Sequence, residues 1–554
     1  MDESIFGPIL VKLGGTFRRS MLKTPFIMIN NKQVLVRCFG LFGLLAAIYF
    51  FTYSGTEIST DELKLFDGAH SFFQDGSLEL RYTDDLLNVY TTYPVNQIVP
   101  SLDTEPLHAY IASILIWIAV HVPNFGLMQT AWTFNIFVTA LTAVILYRYG
   151  VTLGYRERTA FAIALIFGLA TYAWIYSKLF FREPLFTLFL LVCAYSLEKW
   201  RRHFDRGQFR VGWLVLALVM LVAAMYTKQA LALVVPILLL IAIPGSLGRL
   251  LSWRTAIVLV VLVIVAIGAI LLYPRLFPGS RPGLFFVRLT AFNFSFVNIA
   301  SSAYLFGPGY SIWTISPVLL LGFPGAYMLL RARRLRQFVV PLALVLIFAI
   351  GYAVLQSFNW YGGTGWGSRY MLPLVPFMAL WLLPLIERLL DRKLRYWAMA
   401  ATIGVIALSV FIQFIAVSVR VQAYGNYLSA ETSALNRPNG LPVAPWLDGI
   451  WNLLYTQQIV SAHEAGTTPL AFAWAANGSS WIVIPLCLIV AGIALVLLTR
   501  KAQSWHEVTL AGGAVFVGGV REEESEQKKR NGADVDHRGR ENLRRPRKPG
   551  RRSP

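Results

Sequence analysis

Charge is scarce in this sequence: 14% of its 554 residues are Asp, Glu, Lys or Arg, against 56% that are hydrophobic. A soluble fold of that length cannot enclose so much apolar surface, because the area left outside falls too slowly with size. Histidine and cysteine are scarcer still, at seven and three. Cys38, Cys193 and Cys487 each stand inside an apolar run, which argues against both a disulfide framework and a zinc knuckle. No glycine-rich phosphate loop follows a strand pattern, so nothing marks a nucleotide-binding fold. Acid is the scarcer sign, 29 Asp and Glu against 49 Lys and Arg, for a net charge of +20. That excess invites a nucleic-acid reading, which the placement of the cations argues against.

What the sequence has instead is apolar runs, with a mean hydropathy of +0.57. A bilayer core of ~30 Å takes about 20 residues of helix. Runs of that order occupy 34–53, 127–147, 159–181, 184–200, 211–227, 230–247, 255–273, 313–330, 338–356, 371–386, 396–419 and 479–499. The expectation is an all-α polytopic membrane protein of about twelve transmembrane helices. A further apolar run at 107–122 is interrupted by His108 and His121. Five short connections, 148–158, 199–210, 249–254, 331–336 and 388–395, hold 18 Lys and Arg. Clustered cations mark cytoplasmic loops. All five fall on one side only if 107–122 does not cross, so it is read as a re-entrant or juxtamembrane helix. Both termini then lie in the cytoplasm of a plasma-membrane protein.

The loop 54–106 is left outside, with ten acidic residues against Lys64 and Arg81. Leu63, Leu65, Phe66, Phe72 and Phe73 stand among its charges and predict juxtamembrane helices rather than loose chain. The tail from Arg500 carries 14 basic and 8 acidic residues. Its composition predicts disorder, with contact to anionic headgroups at most. The division expected is a basic N-terminus (1–33), a transmembrane module (34–390), C-terminal helices with an outer loop at 420–478 (391–499), and the tail (500–554).

Three constellations fall on the outer side. Asp61-Glu62 opens the acidic loop; adjacent carboxylates suit a general base with an orienting or metal-binding partner, while on spacing alone Ser59-Thr60-Asp61-Glu62 reads more simply as a helix cap. Arg182-Glu183-Pro184 joins two spans, with Lys178 before it. Ionisable groups at membrane depth are costly and tend to be functional, although headgroup contact explains them too. Trp360-Tyr361-Gly362-Gly363 runs on to Trp366-Gly367-Ser368-Arg369-Tyr370. Its aromatics can stack on a sugar and its arginine can clamp a phosphate; an interfacial aromatic belt accounts for the rings but not for the glycines. Asp534-Val535-Asp536 lies in the basic tail and is set aside. Asn293 and Asn477 open glycosylation sequons, meaningful only in a host that glycosylates there.

These segments together resemble the GT-C superfamily of membrane glycosyltransferases, which includes the protein O-mannosyltransferases and the lipid A aminoarabinose transferases. The resemblance is carried by "STDELKLFDGAHSFFQDGSLELRYTD", "SKLFFREPLFTLFLLVCAY" and "WYGGTGWGSRYMLPLVPF", in order and on one side. It extends over roughly residues 34–390 and fades after 420. No histidine precedes Arg369-Tyr370, as one does in some members. The resemblance implies transfer of a hexose or pentose from a polyprenyl-phosphate donor to an acceptor hydroxyl outside the cytoplasm, with inversion, in building cell-envelope glycan. It implies Asp61 as base beside Glu62, with Glu183 as a second acidic group steering the acceptor or a metal. Arg182, Arg369 and Lys178 would contact the donor phosphate, and Trp360, Tyr361, Trp366 and Tyr370 the sugar or acceptor. Membrane lipid, the lipid-linked sugar and a glycan, lipid or protein acceptor would be its partners. No resident cofactor is implied beyond a divalent cation, which is left open. A transporter or lipid flippase would call for repeats and mid-span charges, whereas the sequence shows no convincing repeat and its spans are nearly free of charge. A lipid-linked glycan polymerase or ligase would be expected to place its charged outer loop late in the chain.

Overall fold

A computed structural model of the chain describes residues 31–55, 59–81, 102, 104–123, 125–228, 230, 233–245, 252–276, 294–307, 311–356, 362, 366–418, 472 and 480–499. Every regular element among them is a helix. The chain divides into two compact units, one of residues 41–494 and one of 1–40 with 495–554; the packing described below lies within the first.

In chain order the helices are α1 (Asn31–Phe51), α2 (Thr60–Asp75), α3 (Leu107–His121), α4 (Leu127–Trp132), α5 (Phe134–Thr152), α6 (Glu157–Ala170), α7 (Ala173–Tyr176), α8 (Glu183–Asp205), α9 (Val211–Thr227), α10 (Val235–Ala242) and α11 (Trp253–Leu276). They continue as α12 (Val297–Phe306), α13 (Ile312–Ile315), α14 (Gly322–Arg331), α15 (Leu335–Gln356), α16 (Val375–Trp381), α17 (Leu383–Leu390), α18 (Tyr396–Ser418) and α19 (Ser480–Thr499), with a 3-10 turn at Arg369–Leu374. Five are long and apolar enough to cross a membrane, or six if the pair Arg369–Trp381 and Leu383–Leu390, bent by 44°, makes one span. The chain is a helical membrane protein. Among the described residues this is the number that helix length and composition give, with further apolar helices of 10–17 residues beside them; the expected count of about twelve is not confirmed.

Part of the shortfall has a physical cause, for two expected spans are broken. The run 159–181 stops being helix at Ala170, where Thr171 turns its hydroxyl back onto the Phe167 carbonyl (2.6 Å). The run 313–330 breaks at Ser316 before Pro317, whose ring cannot continue a helix ladder. Inside a membrane the freed backbone groups need partners, and side chains supply them. The Tyr172 amide donates to Ser316 Oγ (3.0 Å). Ser409 on α18 donates to the Ala170 carbonyl (2.7 Å) and accepts from the Val318 amide (3.2 Å). Gln413, one turn further along α18, donates to the Ile315 carbonyl (2.6 Å).

α8 sets the scale of the molecule. Its 23 residues run about 34 Å at 1.5 Å each, enough for a bilayer core. Glu183 stands at its first turn, and at the other end Glu198 accepts from Arg201 and Arg202 while Arg201 also reaches Asp205 (3.0 Å). The basic connections meet at helix ends as well. Arg156 and Arg158 both pair with Asp391, and the Arg334 guanidinium lies 4.9 Å over the Tyr155 ring.

The first loop holds two helices. α3, at 15 residues, reaches only about 22 Å, too short for a straight crossing. It packs on α2 through Leu63, Phe66, Ala109, Ala112 and Ile116, in one apolar cluster with Trp132 and Phe180.

Candidate active site

Ser59, not Asp61, caps α2: its hydroxyl accepts from the Asp61 amide (3.2 Å). Asp61 and Glu62 occupy the first turn, where the helix dipole favours negative charge. Successive helical residues point about 100° apart, and the two carboxylates part company. Glu62 is fully buried and accepts from the Phe180 amide (2.6 Å). Asp61, its side chain 50% exposed, forms an ion pair with Arg369.

Arg369 opens the 3-10 turn Arg369–Leu374. Its side chain is 11% exposed, with the guanidinium 4.6 Å over the Phe181 ring and Nε 3.9 Å from Glu183 Oε1. Glu183 takes a closer ion pair from Lys228 Nζ (2.5 Å). Arg182, the residue before α8, pairs with Glu105. Signs therefore alternate along Asp61, Arg369, Glu183 and Lys228, with Arg182 and Glu105 alongside. Asp61, Lys64, Leu65, Thr104, Phe181, Arg182, Glu183 and Arg369 line a small cleft that opens to solvent.

The connection that carries Arg182 is held from behind. Asn135 on α5 donates through Nδ2 to the carbonyls of both Leu179 (2.6 Å) and Phe181 (2.8 Å), while Glu62 holds the Phe180 amide between them. His108 fills the same wall. It is buried between the Phe134 and Phe180 rings (5.0 and 4.6 Å), and burial, with Arg182 adding to it, pushes its imidazole down to about 3.

Partial desolvation works to raise the Asp61 carboxyl. The charge and hydrogen bond of Arg369, with the charge of Arg182, outweigh it and hold the group below the usual carboxylate range. Asp61 is thus ionised at neutral pH, with a cation on it.

Of the residues singled out in the sequence, the structure brings Asp61, Arg182, Glu183 and Arg369 to one cleft. Glu62 supports it from the buried side. Lys178 lies after α7, not on a continuous helix with Arg182, and its ammonium donates to the Val417 carbonyl (2.6 Å). Trp366 is buried, its carbonyl accepting from Tyr176 (3.3 Å). Tyr370 stacks on Tyr352 with ring centres 4.9 Å apart. Trp360 and Tyr361 lie outside the described residues, as do the Asp534–Asp536 pair and the tail. Among the described residues no group of three or more His, Cys, Asp or Glu is arranged to hold a metal. Glu105 and Lys228 were not anticipated. Lys228 interrupts two apolar runs, and the same count of cationic loops puts it at an outer turn, the signal that could have marked it.

The structure is similar to that of the oligosaccharyltransferase AglB from Archaeoglobus fulgidus, in complex with an inhibitory peptide and a dolichol-phosphate. The TM-score is 0.43 at 14% identity, covering 74% of this chain and 58% of that one. It is also similar to ArnT from Cupriavidus metallidurans bound to undecaprenyl phosphate, with a TM-score of 0.45 at 15% identity, covering 83% of this chain and 78% of that one. The chain thus spans somewhat over half the length of AglB. No family model and no curated protein matches the sequence.

Proposed function

We propose that this protein is a glycosyltransferase that takes a sugar from a polyprenyl-phosphate carrier and places it on an acceptor hydroxyl at the extracytoplasmic face, inverting the anomeric centre. The observation that carries the reading is Arg369 lying between Asp61 and Glu183 at a cleft that also holds Arg182. One carboxylate half-open to solvent and two guanidinium groups supply what the reaction asks for, a proton acceptor and a sink for phosphate charge.

The acceptor oxygen attacks the anomeric carbon from the face opposite the phosphate. The new C–O bond forms as the bond from the anomeric carbon to the phosphate oxygen breaks, and the hydroxyl proton passes to the Asp61 carboxylate. The electron pair leaves with the polyprenyl phosphate, whose charge Arg369 and Arg182 take up. A carboxylate already paired with Arg369 is a weak base. Donor binding corrects this: the phosphate draws Arg369 off Asp61, and proton affinity returns to Asp61 when substrate is in place. Glu183 lies behind Arg369, its oxygen 3.9 Å from Nε, and Tyr370 and Trp366 brace the turn that carries Arg369. The extracytoplasmic placement rests on the cation count of the opposite helix ends.

The test is incubation of the purified chain with a panel of polyprenyl-phosphate sugars. Release of polyprenyl phosphate with at least one donor is expected. Silence across hexose and pentose donors, in protein that stays folded, contradicts the proposal.

A further inference from the structure

One buried cation behind the cleft is Lys228. It follows α9 with an extended backbone, its amide on the Ala224 carbonyl (2.9 Å), and is only 5% exposed. Its ammonium lies 2.5 Å from Glu183 Oε1, 4.6 Å over the Tyr370 ring and 5.6 Å over the Tyr352 ring. Lysine is rarely buried without such compensation. It does not line the cleft.

We propose that Lys228 is a positioning residue: by occupying Glu183 from behind, it leaves the Arg369 guanidinium free to face the cleft and take an anionic group of the substrate. The inference rests on the glycosyltransferase reading and deepens it. Glu183 is buried, and a buried carboxylate without a cation is costly. Its neighbours are Lys228 and, at 3.9 Å, Arg369, with Arg182 beside it in the chain. If Lys228 is neutral, Glu183 draws on Arg369, the nearer guanidinium. Arg369 then turns inward, off Asp61 and away from a phosphate in the cleft. Tyr370 joins the two ends of this arrangement, since its ring faces Lys228 and its neighbour in the chain is Arg369.

The prediction is a coupling that a merely structural lysine would not produce. The probe is undecaprenyl phosphate, titrated against the full chain in nanodiscs, with affinity read on folded protein. Lys228→Met should weaken binding by on the order of tenfold or more, while in the Glu183→Gln background the same replacement should change affinity less than about threefold. Lys228→Arg, which keeps the charge, should bind within a few fold of wild type. If Lys228→Met does not fold, the double variant, which holds no unpaired buried charge, replaces it. Its binding as tightly as Glu183→Gln alone supports the proposal, and its losing affinity as a single lysine deletion would contradicts it. Unchanged affinity of a folded Lys228→Met, or an equal loss in both backgrounds, overturns the role of Lys228. Failure of the wild-type chain to bind undecaprenyl phosphate is a different result, and it sinks the lipid-phosphate reading itself.

Discussion

Asp61 and Arg369, separated by 308 positions in the chain, form an ion pair across the mouth of the cleft. The pair places a candidate base under the control of the group that would receive the leaving phosphate.

Removal of either cleft arginine should impair the chemistry. Arg369→Ala and Arg182→Ala are each expected to lower turnover by about 10²–10³, the usual cost of a lost charge-stabilising donor. Lysine at either position should recover only part of the rate, because the two-pronged guanidinium contact is lost. Steady-state rates at matched folded protein check this, and wild-type rates in both alanine variants would remove the arginines from the mechanism.

The pH dependence should differ between free and substrate-bound enzyme. In the free protein Arg369 and Arg182 hold Asp61 below the usual carboxylate range, so the acid limb of kcat/KM should lie below that of an ordinary carboxylate. A depressed folded-state value also means that the stabilisation from the pair is present above the ordinary value and lost as pH falls through the lowered one. Once donor phosphate has drawn Arg369 away, the carboxyl rises, and the acid limb of kcat should lie at higher pH than that of kcat/KM. Coincident limbs would argue against the exchange of partners.

Glu62 and Asn135 separate support from chemistry. Glu62→Gln keeps an oxygen for the Phe180 amide and should stay within a few fold of wild type. Asn135→Ala strips the Leu179 and Phe181 carbonyls of their donor, at a cost of about 1–3 kcal/mol for buried groups left unmade. Thermal unfolding should show the loss, and activity should fall with it as Arg182 loses its platform.

Much of this site was legible because ionisable residues at the ends of apolar runs are conspicuous, and Asp61, Arg182, Glu183 and Arg369 stand out for that reason. Glu62 was harder to place: adjacency in sequence suggests a shared task, while helical geometry turns neighbours about 100° apart. Lys178 stands in the apolar run 159–181, which hydropathy presents as one span and which Thr171 in fact interrupts. Its side chain serves α18 instead. The breaks at Ala170 and Ser316 escape a hydropathy reading because their backbone groups are satisfied by Ser409 and Gln413, more than ninety residues away. Lys228 was hidden as a mere spacer between two apolar segments, since its partner Glu183 lies 45 positions earlier.

The orientation has its own check. Gln74, exposed on α2 in the first loop, is a suitable probe. In a background without the three native cysteines, Gln74→Cys should react with an impermeant thiol reagent in intact cells and Gln208→Cys should not. The reverse pattern would invert the topology and place the cleft on the cytoplasmic face.

The most direct test of the central claim is the turnover of Asp61→Asn with a lipid-linked donor that the wild type accepts. Ser59 provides the cap of α2, so asparagine keeps size and fold while removing the proton acceptor. Turnover should drop by roughly 10²–10⁴, the usual worth of general-base catalysis, with affinity for polyprenyl phosphate unchanged or tighter, since Arg369 is released. Equal turnover at matched expression and thermal stability would contradict the account and leave Asp61 as no more than a surface partner of Arg369.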